Sequence, residues 1–198
     1  MEIRIDARGL ACPKPVIETK KALDSVKEGN IVTVVDNAVA RDNVSKLAKS
    51  LKLSYTVTES GELFEVSIFK GGYEGAPEEL PESKPDLANT VILIGSEFMG
   101  KGDDGLGEIL MKGYLYALSE YTPYPKAILL VNSGIKLSTV NMATIESLKK
   151  LEQGGTEIWS CGTCLDYYKL KEMLAVGAIT NMYTIVEYMN EAGNTITL

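Results

Sequence analysis

The sequence predicts a two-domain α/β protein. Three observations predict it. Strand-like and helix-like periodicities alternate along residues 1–70, a stretch rich in proline, glycine and glutamate follows, and short apolar runs then alternate with helical patterns to residue 198. The first pattern predicts a two-layer βαβαββ sandwich. The second predicts a three-layer α/β domain built on an open parallel sheet. The expected boundaries are 1–70, a linker at 71–88, and 89–198.

Ile3 and Ile5 alternate with polar neighbours, as in a half-buried strand. From Pro13 to Val26 the period becomes helical, with Val16, Leu23 and Val26 on one face. The β-branched run from Ile31 to Val35 suits a strand. Ala40, Val44, Leu47, Ala48 and Leu51 recur at helical spacing. Leu53, Tyr55 and Val57 then alternate, Ser60-Gly61 turns the chain, and Phe64, Val66 and Ile68 alternate again. Residues 71–85 hold three prolines, three glycines and four glutamates, too polar and broken a stretch to form a core.

Val91 to Ile94 reads as a strand buried on both faces. Leu106, Ile109, Leu110, Gly113, Tyr114, Ala117, Leu118 and Tyr121 mark a long helix. Ala127–Val131 and Thr156–Ser160 read as further strands, separated by a helix from Val140 to Leu151 that ends before Gly154-Gly155. A short helix near Leu165, another from Met182 to Met189 and a last strand from Thr195 complete the alternation. Such alternation implies parallel strands with helices on both faces.

Composition narrows the chemistry. The chain carries 27 acidic and 20 basic side chains, a net charge of −7, and no basic stripe, which argues against nucleic-acid binding. No run approaches the roughly 18 apolar residues of a membrane span. The first residues lack the basic and apolar regions of a signal peptide, so the cytoplasm is the expected compartment. There are three cysteines and no histidine, which excludes Ser-His and Cys-His catalysis and every mixed Cys/His zinc site. Neither a cofactor nor a metal is expected, and chemistry falls to cysteine, carboxylates, lysine or backbone dipoles.

Cys12 stands out. It joins the first strand to the first helix in Asp6-Ala7-Arg8-Gly9-Leu10-Ala11-Cys12-Pro13-Lys14-Pro15. With Pro13 as the first helical residue, Cys12 falls at the N-cap, facing unpaired N–H groups and the positive end of the helix dipole. Those donors, with the charge of Lys14, favour thiolate over thiol. Pro15 stiffens the first turn without breaking an internal hydrogen bond.

Cys161-Gly162-Thr163-Cys164 follows a strand and precedes a helix, where open parallel sheets place their sites. In a Cys-x-x-Cys pair one thiol can be activated while the other resolves an intermediate. Cys161, nearest the strand end, is the first candidate and Cys164 its partner. A zinc site would want a second such pair. Asn132, Ser133, Gly134 and Lys136 also follow a strand and could line the same pocket, although an ordinary turn explains them better. Gly100-x-Gly102-x-x-Gly105 fits a dinucleotide fingerprint formally, but Asp103 and Asp104 would face the pyrophosphate, and capping of the next helix suits them better.

The Asp6-x-Arg8-Gly9-x-x-Cys12-Pro13-x-Pro15 segment, followed by a helix, resembles the signature of the TusA/SirA-like sulfur-carrier family over about the first 70 residues. The resemblance implies that Cys12 accepts a persulfide sulfur and passes it on, with Arg8, Gly9, Pro13, Lys14 and Pro15 in support. Ile94-Gly95-Ser96, Gly102 to Gly107 and Cys161 to Cys164 resemble the DsrE/DsrF-like family, which also moves sulfur through cysteine. Together the two domains resemble the sulfurtransferase-like selenium-metabolism family. The implied partners are a cysteine desulfurase, or another persulfide or selenium donor, and an acceptor protein. A homo-oligomer through the C-terminal domain is implied as well. Two other readings stay open: a dithiol redox protein using Cys161 and Cys164, and a non-catalytic binding or regulatory module.

Overall fold

The computed structural model describes residues 1–71 and 87–198. These form two compact units, one on each side of residues 72–86. The expected linker at 71–88 thus lies almost wholly outside the described residues.

The N-terminal unit runs β1 (Glu2–Asp6), α1 (Lys14–Ser25), β2 (Gly29–Val35), α2 (Ala38–Ser50), β3 (Ser54–Ser60) and β4 (Leu63–Lys70), the expected βαβαββ order. The sheet order is β1-β2-β4-β3, with β1 parallel to β2 and the other two pairings antiparallel. Both helices send their apolar stripes to one face. Leu23 of α1 and Val44 and Ala48 of α2 pack on Ile31, Val66 and Ile68, all buried. Each fully buried Val, Leu or Ile side chain of this kind stabilises the fold by about 1.5–3 kcal/mol. Most of β3 is exposed, as the outer strand of a two-layer sandwich must be. Within the interface the hydroxyl of Thr19 donates to the carbonyl of Pro15 at 2.7 Å and lies 2.8 Å from the Thr33 hydroxyl. This satisfies two polar groups buried behind the start of α1.

The C-terminal unit holds β5 (Thr90–Ile94), α3 (Asp104–Ser119), β6 (Ala127–Leu130), α4 (Met142–Gln153), β7 (Glu157–Cys161), α5 (Gly162–Tyr168), β8 (Ala178–Thr180), α6 (Met182–Glu191) and β9 (Asn194–Thr197). All neighbouring strands are parallel, in the order β8-β7-β6-β5-β9. The steps β5→β6→β7→β8 all run one way, so right-handed crossovers put α3, α4 and α5 on one face. The return to β9 reverses direction and sends α6 to the other. The two cores agree: Met111, Leu115, Leu148 and Leu165 pack on one side, Ile185 on the other.

Three details depart from expectation. The short strand β8 has no counterpart in the sequence pattern, because three residues are too few to carry a period. Helix α4 begins at Met142 rather than Val140, because Asn141 caps it by accepting the N–H of Thr144 at 3.4 Å. In α3 the buried residues are Gly107, Met111, Leu115, Leu118 and Ser119, whereas Leu106, Ile109 and Leu110 point outward. That helix is apolar around much of its circumference, so its sequence does not single out one inner face. Asp103 caps α3 through the N–H of Leu106, and Asp104 occupies the first turn, as their charge at a helix N-terminus favours.

Candidate functional site: three thiols in two settings

Cys12 lies exposed in the loop between β1 and α1. Ala7 continues the strand pairing through its N–H to the Val34 carbonyl at 2.9 Å. The guanidinium of Arg8 folds back on Asp6, donating from Nε at 2.8 Å and from a terminal nitrogen at 2.6 Å. This pairing holds the Asp6 carboxyl down at about 2. Gly9 adopts φ +69°, the left-handed region that favours glycine, and its N–H donates to the Asp36 carboxylate at 2.7 Å. That hydrogen bond, followed by one from the Asn37 side chain, lowers the Asp36 carboxyl as well. Asn37 in turn caps α2, accepting the N–H of Ala40 at 2.8 Å. One turn further along α2, the Asn43 amide donates to Cys12 Sγ at 3.6 Å. The Cys12 loop is therefore moored to the β2–α2 corner by Asp36, Asn37 and Asn43, none of which the motif itself contains.

The expected N-cap role of Cys12 is corrected. The cap residue is Pro13, Lys14 is the first helical residue and Pro15 the second. The reason lies in the hydrogen bonds. Lys14 N–H turns back to the Ala11 carbonyl at 3.0 Å, and the N–H groups of Val16 and Ile17 both reach the Pro13 carbonyl. Pro13 and Pro15 have no N–H to offer. No first-turn N–H is left over for Cys12 Sγ, and the polar group that meets it is a side chain from the neighbouring helix.

Cys161 and Cys164 lie at the carboxyl edge of the second sheet. Cys161 ends β7 and occupies the N-cap of α5, with Cys164 three residues on. Side chains at these two positions face each other, as in a capping box. Cys161 is 3% exposed and packs with Leu129 and Ile185, whereas Cys164 is half-buried. The Asn132 N–H donates to Cys164 Sγ at 3.0 Å. Burial, and then the hydrogen bond with Cys161, pushes the Cys164 thiol up, with the Asn132 N–H pulling the other way. The thiol expected to come first by position, Cys161, is thus the enclosed one.

The segment following β6 is a 3-10 helix, Asn132–Ser138, in place of the ordinary turn expected. Asn132 sits at φ 50°, its Oδ1 accepts from the Tyr168 hydroxyl at 3.0 Å, and Ser133 Oγ accepts the N–H of Glu97 at 3.3 Å. Lys136 pairs with Glu97 at 2.5 Å and stands 5.4 Å from the Tyr168 ring centroid. The ends of β5, β6 and β7 are so tied together around Cys164. Sequence reasoning reached Asn132, Ser133 and Lys136 as loop residues but missed Glu97 and Tyr168. Among the described residues no cluster of three or more His, Cys, Asp or Glu side chains could hold a metal ion, and no helix is long and apolar enough to cross a membrane.

An exposed cysteine on a strand-to-helix loop of a βαβαββ sandwich, joined to a parallel-sheet unit with its own thiol pair, defines a thiol-bearing two-unit α/β protein. Residues 3–70 match the family described as Sulfurtransferase TusA, and residues 124–198 match the DsrE/DsrF-like family. The chain is 37% identical over 60 residues to a candidate sulfur carrier protein of Thermotoga maritima, covering 73% of that relative and 30% of this chain. It is 36% identical over 90 residues to the candidate sulfur carrier protein YrkF of Bacillus subtilis, covering 43% of this chain but 46% of the relative. The chain therefore spans about half the length of this last relative. The crystal structure of a SirA-like protein from Desulfitobacterium hafniense, 35% identical, is covered over 100% of its chain and 36% of this one, with a TM-score of 0.34. The chain belongs to the TusA/SirA-like sulfur-carrier family and joins that domain to a DsrE/DsrF-like one.

Proposed function

We propose that the protein relays sulfur, or selenium, as a persulfide or perselenide on Cys12. The proposed domains are a carrier at 1–70 and a DsrE/DsrF-like domain at 89–198, connected by 71–88. The Cys12 thiolate attacks the outer sulfur of a donor persulfide, the donor's thiolate leaves, and the new Cys12 persulfide later surrenders that sulfur to an acceptor thiol. The observation that carries this reading is the exposure of Cys12 on a loop moored through Gly9 to Asp36 and touched by Asn43. A mobile thiol would reach partners equally well but would not present one fixed face to them. The Cys161–Cys164 pair is the acceptor carried in the same chain. The donor is a cysteine desulfurase or another persulfide or selenium source, and three unpaired thiols suit a reducing compartment such as the cytoplasm. The combination of domains, with the selenium link of YedF-type proteins that it resembles, supports selenium as a second cargo.

A homo-oligomer through the C-terminal domain is part of the same reading. Leu106, Ile109 and Leu110 on α3 and Met182, Tyr183 and Val186 on α6 are exposed apolar side chains in support of it. Light scattering on the full chain tests the point, and a monomer at micromolar concentration would remove it.

The test of the relay is intact-mass spectrometry after incubation with a cysteine desulfurase and cysteine, and separately with a selenium donor. A gain of one sulfur or selenium atom, lost in Cys12→Ser, is the expected result. No adduct on any cysteine overturns the reading. The placement of Cys161 and Cys164 three residues apart at the start of α5 favours a second reading, a dithiol redox protein. A reversible intrachain disulfide in a glutathione titration, with no sulfur uptake, would establish it instead.

A further inference from the structure

We propose that Cys161 is the resolving thiol of the pair, discharging a persulfide held on Cys164 by displacing its outer sulfur as hydrosulfide and leaving a Cys161–Cys164 disulfide. The inference rests on the sulfur-relay reading and adds a fate for the cargo: release as hydrosulfide, or hydroselenide, rather than handover to another protein thiol.

Three observations carry it. The two thiols differ sharply in access, since Cys161 is 3% exposed against the core and Cys164 is half-buried. A donor therefore reaches Cys164 first. The Asn132 N–H is aimed at Cys164 Sγ at 3.0 Å, a fixed dipole that stabilises negative charge on that sulfur and holds it in place during loading. Finally, Cys161 is the N-cap of α5 and Cys164 lies three residues on, which puts the two side chains on facing positions of one helical turn. An attacking thiol is thus already beside the sulfur it would attack, which converts discharge into an intramolecular step.

The step balances. Cys161 Sγ attacks Cys164 Sγ, a bond forms between them, and the bond from Cys164 Sγ to the outer sulfur breaks. The outer sulfur keeps that electron pair, takes the Cys161 proton and leaves as hydrosulfide. The outer sulfur is reduced as the Cys161 sulfur is oxidised, while the Cys164 sulfur, already at the disulfide level in the persulfide, does not change. A dithiol reductant then restores both thiols and is itself oxidised to a disulfide.

The experiment uses the full chain carrying Cys12→Ser, loaded with glutathione persulfide, freed of excess donor and followed by sulfide assay and non-reducing intact mass. The expected result is release of one hydrosulfide per loaded chain, with the protein ending two hydrogens lighter than its reduced form. With Cys161→Ala added, the chain keeps the extra sulfur and releases none until a dithiol is supplied. Equal release from both chains overturns the inference, as does release of glutathione in place of hydrosulfide. The relay reading survives either result so long as Cys12 loads in the unsubstituted chain. If no cysteine of any chain gains sulfur, both fall together. Should Cys161→Ala fail to fold, the matched yields of hydrosulfide and disulfide in the Cys12→Ser chain decide the matter alone.

Discussion

The backbone N–H of Asn132 meets Cys164 Sγ at 3.0 Å, joining the loop after β6 to the helix after β7. Asn132 achieves this at φ 50°, a conformation that costs an ordinary side chain about 1 kcal/mol. Asn132→Gly keeps both the backbone shape and the N–H while losing the bond from the Tyr168 hydroxyl. Asn132→Ala loses that bond and takes on the strain. Denaturant melts and alkylation rates of Cys164 should place the alanine variant further from the parent than the glycine variant in both measures.

Cys164 should titrate late. Burial and the hydrogen bond with Cys161 push its thiol up, so its alkylation by iodoacetamide keeps accelerating with pH beyond about 8.5, where an ordinary thiol levels off. Measured in Cys12→Ser, a plateau at or below that pH would contradict the packing around it.

Acid should loosen the Cys12 loop. The Asp6 carboxyl is held down at about 2 and that of Asp36 is also lowered, so both are better deprotonated in the folded chain. Their contribution to stability is complete above the ordinary aspartate range near 4 and is lost as pH falls below it, toward about 2 in the case of Asp6. Asp6→Asn should flatten the fall in Tm across that interval, while leaving the Tm change between pH 6 and 8 as it was.

Asn37→Ala removes the cap of α2 and one partner of the Asp36 carboxylate. A lost cap costs about 1 kcal/mol. Urea unfolding of the full chain should show that loss in the transition of the N-terminal unit, which holds α2. Persulfide loading of Cys12 should slow too, since α2 brings Asn43 to the thiol.

Gly134→Ala should disrupt the second site from behind. A β-carbon there would lie 2.3 Å from the Ile94 carbonyl oxygen and 3.1 Å from its carbon, both backbone atoms that cannot step aside. Overpacking of this kind costs about 1–3 kcal/mol. The turn should lift away from β5, with a drop in Tm and a change in Cys164 alkylation rate. Unchanged values in both would show that the turn relaxes freely.

Much of the architecture was legible because it rests on local period and punctuation. Ile31 to Val35 could only be a strand, and the apolar spacing from Ala40 to Leu51 could only be a helix. The Asp6 to Pro15 segment and the Cys161-x-x-Cys164 pair announced two thiol settings in the same way. Helix starts were harder. The position of Pro13 suggests a cap at Cys12, whereas the Lys14 N–H closes a turn on the Ala11 carbonyl and Pro13 itself is the cap. The inner face of α3 was unreadable because Leu106, Ile109 and Leu110 are as apolar as the residues it buries.

By itself, then, the sequence determined which sulfurs the protein carries and that each lies where a strand gives way to a helix. Those are properties of neighbouring residues and their periods. The tertiary structure alone decided that Asp36 and Asn43 hold the Cys12 loop, that Asn132 points its N–H at Cys164, and that Cys161 is the enclosed thiol of its pair. These relationships join residues 27 to 32 positions apart, or depend on what a second element covers. They arise only when the sheets bring the strand ends side by side.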